Sequence, residues 1–129
     1  MASFSASSKA ALATAHPDLQ RLFSEVIKHV DIKVLEGHRG KAKQDAAVAG
    51  GFSKTPWPKS RHNSKPSQAV DVVPYPLDWK NRERFFYLAG FVQACAAHLG
   101  ISVRWGGDWD SDRDFTDQKF DDLPHWELV

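Results

Sequence analysis

The chain has 129 residues, 42% of them hydrophobic, enough for one compact core and too few for a second sizeable one. Its 17 basic and 16 acidic residues leave a formal charge of +1, so no global field argues for nucleic acid or an anionic membrane as partner. A single cysteine, Cys95, excludes an internal disulfide and any cysteine-rich metal site.

Residues 1–15, rich in Ala and Ser, read as a flexible N-terminal arm. They lack the basic start and long apolar run of an export signal, and no later stretch approaches a membrane span, so a soluble product without membrane insertion is expected. His16-Pro17-Asp18 opens a helix with Pro near its first turn, and Leu19, Leu22, Phe23, Val26, Ile27 and Val30 recur at helical spacing. Ile32 to Leu35 reads as a short strand entering the turn Gly37-His38-Arg39. A brief helix over Lys41 to Ala49 ends at Gly50-Gly51, and residues 52–68, rich in Pro, Ser, Lys and Asn, form an irregular loop. Ala69 to Val73 is a buried strand stopped by Pro74 and Pro76. The longest helix runs from about Trp79 to Leu99, with Phe85, Leu88, Ala89, Val92 and Ala96 on its apolar stripe and Gly100 closing it. Ile101 to Trp105 is a strand, Asp108 to Asp121 an acidic loop, and Trp126 to Val129 a last strand. Helices flanking a small, largely antiparallel sheet make a single α+β domain over residues 1–129.

Two separated motifs carry chemistry. The first runs from Ser60-Arg61-His62 to Ala69-Val70-Asp71, the second is Asp122-Leu123-Pro124-His125. A catalytic zinc takes three ligands from His, Asp and Glu and keeps a fourth position for water, and His62, Asp71 and His125 fill that requirement. Asp122, three residues before a ligand, is placed to act as a general base. On residue types alone, this reading and a set of ordinary polar side chains stand level, because Asp71 also suits a turn before Pro74 and Asp122 a solvated acidic loop. His16, His38 and His98 lack a neighbouring carboxylate motif and read as ordinary polar residues.

These motifs, together with Asp71-Val72-Val73-Pro74-Tyr75-Pro76, Trp105-Gly106-Gly107-Asp108-Trp109 and Asp122-Leu123-Pro124-His125-Trp126-Glu127-Leu128, resemble the zinc peptidases that cut bacterial cell-wall peptides. Within that group they are most similar to the L-alanyl-D-glutamate peptidases that bacteriophages use as endolysins. The resemblance runs from about Leu19 to the C-terminus; it departs at the loop Asn63 to Ser67, which many relatives replace with a shorter, glycine-containing one. It implies a hedgehog/DD-peptidase-like fold, one Zn2+ held by His62, Asp71 and His125, and Asp122 as the catalytic acid. It further implies that Arg39 helps hold substrate and stabilises the oxyanion, a role that a planar, permanently charged guanidinium suits. Gln44 and Ser60 are its substrate-side candidates, although Ser60 also suits orienting a ligand and Arg39 a salt bridge to Glu36. The implied partner is the stem peptide of peptidoglycan. The implied life history is that of a monomer kept in the host cytoplasm until the membrane is permeabilised, then acting on the wall. A D,D-carboxypeptidase or dipeptidase on the same scaffold, a non-catalytic peptide-binding module, and a structural phage component with lytic activity at infection are the alternatives.

Asp110, Asp112 and Asp114 alternate as in a Ca2+ loop, but Phe115 stands where such a loop needs glycine and Asp121 replaces its terminal Glu. A partly solvated acidic loop is the stronger reading there, and Asp108 reads as a structural hydrogen-bond acceptor. Trp105, Trp109 and Trp126 are expected mainly in the core, with one or two lining a cleft.

Overall fold

In chain order the elements are α1 (Ala6–Ala13), α2 (Pro17–Val26), β1 (Ile32–Glu36), α3 (Lys41–Ala49), β2 (Ala69–Pro74), α4 (Arg82–Leu99), β3 (Val103–Trp105) and β4 (His125–Leu128). They are taken from a computed structural model that describes residues 2–116 and 121–129. The strands form one antiparallel sheet in the order β1-β2-β4-β3. This is the α+β architecture that the sequence pattern predicts.

Strand alternation divides the sheet into two chemically different faces. Val70, Val72 and Trp126 join Leu19, Leu22 and Phe23 of α2 and Leu88 and Val92 of α4 in the hydrophobic core. Trp126 pairs across strands with Val70 and Trp105, and the two indoles stack at 5.7 Å with their planes 16° apart. Residues one step out of phase point the other way, and among them Asp71 is the cross-strand partner of His125, and Ala69 that of Glu127.

The segment before His16 is not a loose arm. It contains α1, started by Ser5, whose side chain accepts from the Ser8 amide. Ser8 is buried, and its hydroxyl accepts from the backbone amide of Val34 at 3.0 Å, on the open side of edge strand β1. Leu12 and Ala15 enter the core. The composition misleads here because Ala is the strongest helix former while adding little hydrophobic periodicity. α4 begins at Arg82, so Trp79 lies outside it and is 54% exposed. The last two strands are also displaced by one or two residues from their expected bounds. Of the acidic loop expected over Asp108 to Asp121, residues 117–120 lie outside the described residues.

Candidate active site

Each of the two motifs is shaped by a local backbone device. Ser60 caps a single 3-10 turn, Arg61–Asn63: its hydroxyl accepts from the His62 amide at 3.2 Å, while the Asn63 side chain accepts from the Ser60 amide at 3.0 Å. His62 is thereby turned inward, 1% exposed. Its Nδ1 donates to the Gly37 carbonyl at 2.7 Å, which leaves Nε2 as the free acceptor of the ring. Gly37 must be glycine, since a Cβ there would lie 2.4 Å from the Ala11 carbonyl oxygen and 2.3 Å from Thr14 Oγ1. In β1 a register shift between Val34 and Glu36 brings Glu36 opposite Asp71 and aims the Gly37-His38-Arg39 turn at the site.

At the second motif, the His125 amide bonds to the Asp122 carbonyl at 3.0 Å, closing a turn that keeps both side chains together. Gly106 pins this turn from both ends, accepting from the Asp122 amide and donating to the His125 carbonyl, each at 2.8 Å. A Cβ on Gly106 would come 2.1 Å from the Asp122 carbonyl oxygen, so only glycine allows the approach.

The resulting cluster has the form of a metal site. His62 Nε2 lies 3.2 Å from His125 Nδ1 and 3.2 Å from Asp71 Oδ1, and the last two atoms are 3.5 Å apart. A tetrahedral ion with bonds of about 2.0–2.2 Å separates its donor atoms by roughly 3.3–3.6 Å. Asp71 Oδ1 is buried without a hydrogen-bond partner, and His125 Nε2 is committed to Glu127 Oε1 at 2.8 Å, so its Nδ1 also faces inward. Three lone pairs thus converge on one point, an arrangement that needs a cation. A proton is the smallest that serves: burial presses His125 toward neutrality, but Asp71 and Glu127 outweigh it and raise its pKa to about 9. Burial likewise pushes Asp71 toward its neutral form, yet the two imidazoles hold it well below the usual carboxylate range.

Arg39 is built into this wall. It pairs through Nε with Glu36, donates through Nη1 to Gln44 Oε1 at 3.0 Å and through Nη2 to Asp71 Oδ2 at 3.3 Å. The expected ion pair with Glu36 and a place beside the site are therefore both present. Gln44 is 0% exposed, and its amide also bonds to Ser53, Thr55 and Asn63. It holds Arg39 and the following loop and is not presented to the cleft. Ser60 does line the cleft, with its hydroxyl engaged in the turn that presents His62.

Above the cluster lies a cavity of about 370 Å³, lined by Arg39, Ser60, His62, Trp109, Asp122 and His125 among others. Asp122 Oδ2 is 4.0 Å from His125 Nδ1. Burial first, and then the charge of Asp71, raises the Asp122 pKa to about 6, close to what a base working near neutrality requires. Trp109 packs against His125 with ring centroids 5.3 Å apart and is the cleft-lining tryptophan, whereas Trp105 and Trp126 are core.

The full length of the chain, residues 1–129, matches the model of the family described as phage L-alanyl-D-glutamate peptidase. The chain belongs to this family. It is 30% identical over 122 residues to the L-alanyl-D-glutamate peptidase of Escherichia phage T5, covering 89% of this chain and 87% of that one. The crystal structure of the L-Ala D-Glu endopeptidase ChiX of Serratia marcescens superposes with a TM-score of 0.76 at 33% identity, over 96% of this chain and 87% of that one. The protein is thus a peptidase, with a candidate metal site at His62, Asp71 and His125.

Two functional contacts of the peptidase were not singled out from the sequence. Glu127 is buried and receives His125 Nε2, while Arg61 and Arg104 approach its other oxygen at 3.7 and 3.6 Å. These partners hold its pKa down against the opposing effect of burial. An acid two residues beyond a strand-borne ligand shares that ligand's face, and this was the available signal. The Gly37 carbonyl, a backbone group, left no such trace. Among the described residues of the acidic loop, the carboxylates that approach one another are those of Asp108, Asp110 and Asp112, so Asp108 takes the place expected of Asp114. Burial raises the Asp108 pKa.

Proposed function

We propose that this peptidase is a zinc-dependent endopeptidase that hydrolyses the L-alanyl-D-glutamate bond of peptidoglycan stem peptides, acting as a phage endolysin. The observation that carries the reading is the convergence of His62 Nε2, Asp71 Oδ1 and His125 Nδ1 at tetrahedral spacing beneath a cleft that holds Asp122. Two imidazoles and one carboxylate, with room for water, are a donor set that suits catalytic zinc. Bound there, zinc supplies acidification of water and polarisation of a carbonyl. Asp122 accepts the proton of the attacking water and returns it to the departing amine. Arg39, fixed by Glu36 and Gln44, presents its positive charge beside the site, where it stabilises negative charge developing on the substrate. Glu127 holds His125 in the tautomer that leaves Nδ1 free to coordinate.

No helix among the described residues is long and apolar enough to cross a membrane. In this reading the enzyme waits in the host cytoplasm as a monomer until the membrane is permeabilised. The deciding experiment is mass spectrometry of purified peptidoglycan digested by zinc-loaded protein, beside a chelated sample and His125→Ala. Zinc-dependent release of stem peptides beginning with D-Glu, lost with the metal in His125→Ala, is the expected result. Release of terminal D-Ala would transfer the protein to the carboxypeptidases, and zinc binding without cleavage would make it a binding module.

A further inference from the structure

The cleft continues past the catalytic acid. Arg39, Phe52 and Asp122 line both the cavity above the metal cluster and a second one of about 580 Å³. The two halves differ in chemistry. The first is lined by Lys59, Arg61 and Arg104 beside the carboxylates of Asp122 and Glu127. Arg61 and Arg104 share one oxygen of Glu127, so positive charge is in excess there. The second half is walled by Leu35, Trp79, Phe85, Leu123 and Pro124, and four of its five charged side chains pair with one another, Arg82 with Asp121 at 2.6 Å and Arg39 with Asp71 at 3.3 Å.

Trp79 gives this second half a specific surface. Its ring lies nearly parallel to that of Phe85, with centroids 5.6 Å apart and planes at 15°. Phe85 is 2% exposed and Trp79 54%, so a core ring supports a ring open to the groove. A large aromatic face held rigidly from behind is a stacking platform for a neutral, saturated ring whose C–H bonds lie against the π system, while its polar groups stay wet.

We propose that the cleft reads its substrate in one direction, with the cationic half holding carboxylates on the D-glutamyl side and Trp79 stacking the sugar attached to the alanyl side. The proposal rests on the stem-peptide reading above. A glutamyl residue joined through its amine and one carboxyl keeps a free carboxylate, so the departing fragment is anionic. The alanyl nitrogen is joined instead to the lactyl group of an N-acetylated sugar, which is neutral in that linkage. Charge complementarity orients such a ligand across the cluster.

The test uses zinc-loaded Asp122→Asn protein, so that the ligand survives, and calorimetric titration with a synthetic stem tripeptide with and without its N-acetylmuramyl group. The sugar-bearing ligand should bind at least about tenfold more tightly, equivalent to roughly 1.4 kcal/mol. Adding Trp79→Ala should abolish that gap, Trp79→Phe should retain most of it, and Lys59→Glu should weaken both ligands alike. Equal affinities, no binding of either ligand, a gap that survives Trp79→Ala, or indifference to Lys59→Glu overturns the orientation. Hydrolysis by the unsubstituted protein is followed separately: its absence with the gap intact would refute the hydrolase reading alone.

Discussion

Zinc binding to the triad should release close to one proton per ion at pH 7, with an affinity that climbs about tenfold per pH unit up to about pH 9. His125 carries the proton in the metal-free protein because Asp71 and Glu127 overcome burial and raise its pKa to about 9. The atom facing Asp71 at 3.5 Å is Nδ1, the same atom that would coordinate the ion, so proton and metal compete for one lone pair. At pH 7, two units below that pKa, about one site in a hundred is proton-free. Apparent affinity is then weakened roughly 100-fold, or about 3 kcal/mol. The sign for stability follows: the folded pKa lies above the ordinary 6.5, so the protonated pair stabilises the metal-free fold fully below that value. This contribution is lost as pH rises through about 9, and zinc therefore protects the fold more strongly in alkaline solution. Competition with a chromophoric chelator from pH 7 to 9 gives the slope, and calorimetry in two buffers of different protonation enthalpy counts the protons. An affinity flat over that range, with no proton released, would refute the reasoning.

Replacing Asp122 by Asn should leave metal content and melting temperature unchanged while lowering kcat by about 10²- to 10⁴-fold. In the unsubstituted enzyme the raised Asp122 pKa means that the working carboxylate is lost as pH falls through about 6, so kcat/KM should drop tenfold per unit on the acid side. A dication at the triad moves that limb lower, and a profile rising toward acid would contradict the base assignment. Glu127→Gln should reduce zinc affinity or activity by about 10- to 100-fold, read by chelator competition and turnover on the same preparation. Ser8→Ala leaves the Val34 amide without its partner and should cost about 1–3 kcal/mol in urea unfolding with zinc affinity unchanged.

The four residues nearest the proposed chemistry could be read from the chain because each belongs to a short motif whose spacing survives folding. Asp71 and His125 are 54 positions apart by number yet direct cross-strand partners; the sequence pattern set Asp71 on a strand but began the last strand one residue after His125. What could not be read depends on partners supplied from elsewhere. His62 is oriented by a carbonyl 25 residues away, and Gln44 looked like a substrate contact because nothing local reveals that Asn63, Ser53 and Thr55 enclose it. The α1 helix escaped notice for a different reason. Its Ser8 is buried by one hydrogen bond to a strand edge, a contact that leaves no hydrophobic period behind.

That same contact bears on how the protein behaves at high concentration. An open sheet presents two rows of unpaired backbone groups, each a template for pairing with another copy of the chain. Here α1 lies along the β1 edge, and β3, the opposite edge, is only three residues long. Both routes to edge-to-edge aggregation are therefore obstructed by the fold itself. Protein stripped of its first 13 residues would bare β1 and become prone to self-assembly, even though every residue of the candidate metal site lies downstream of the cut.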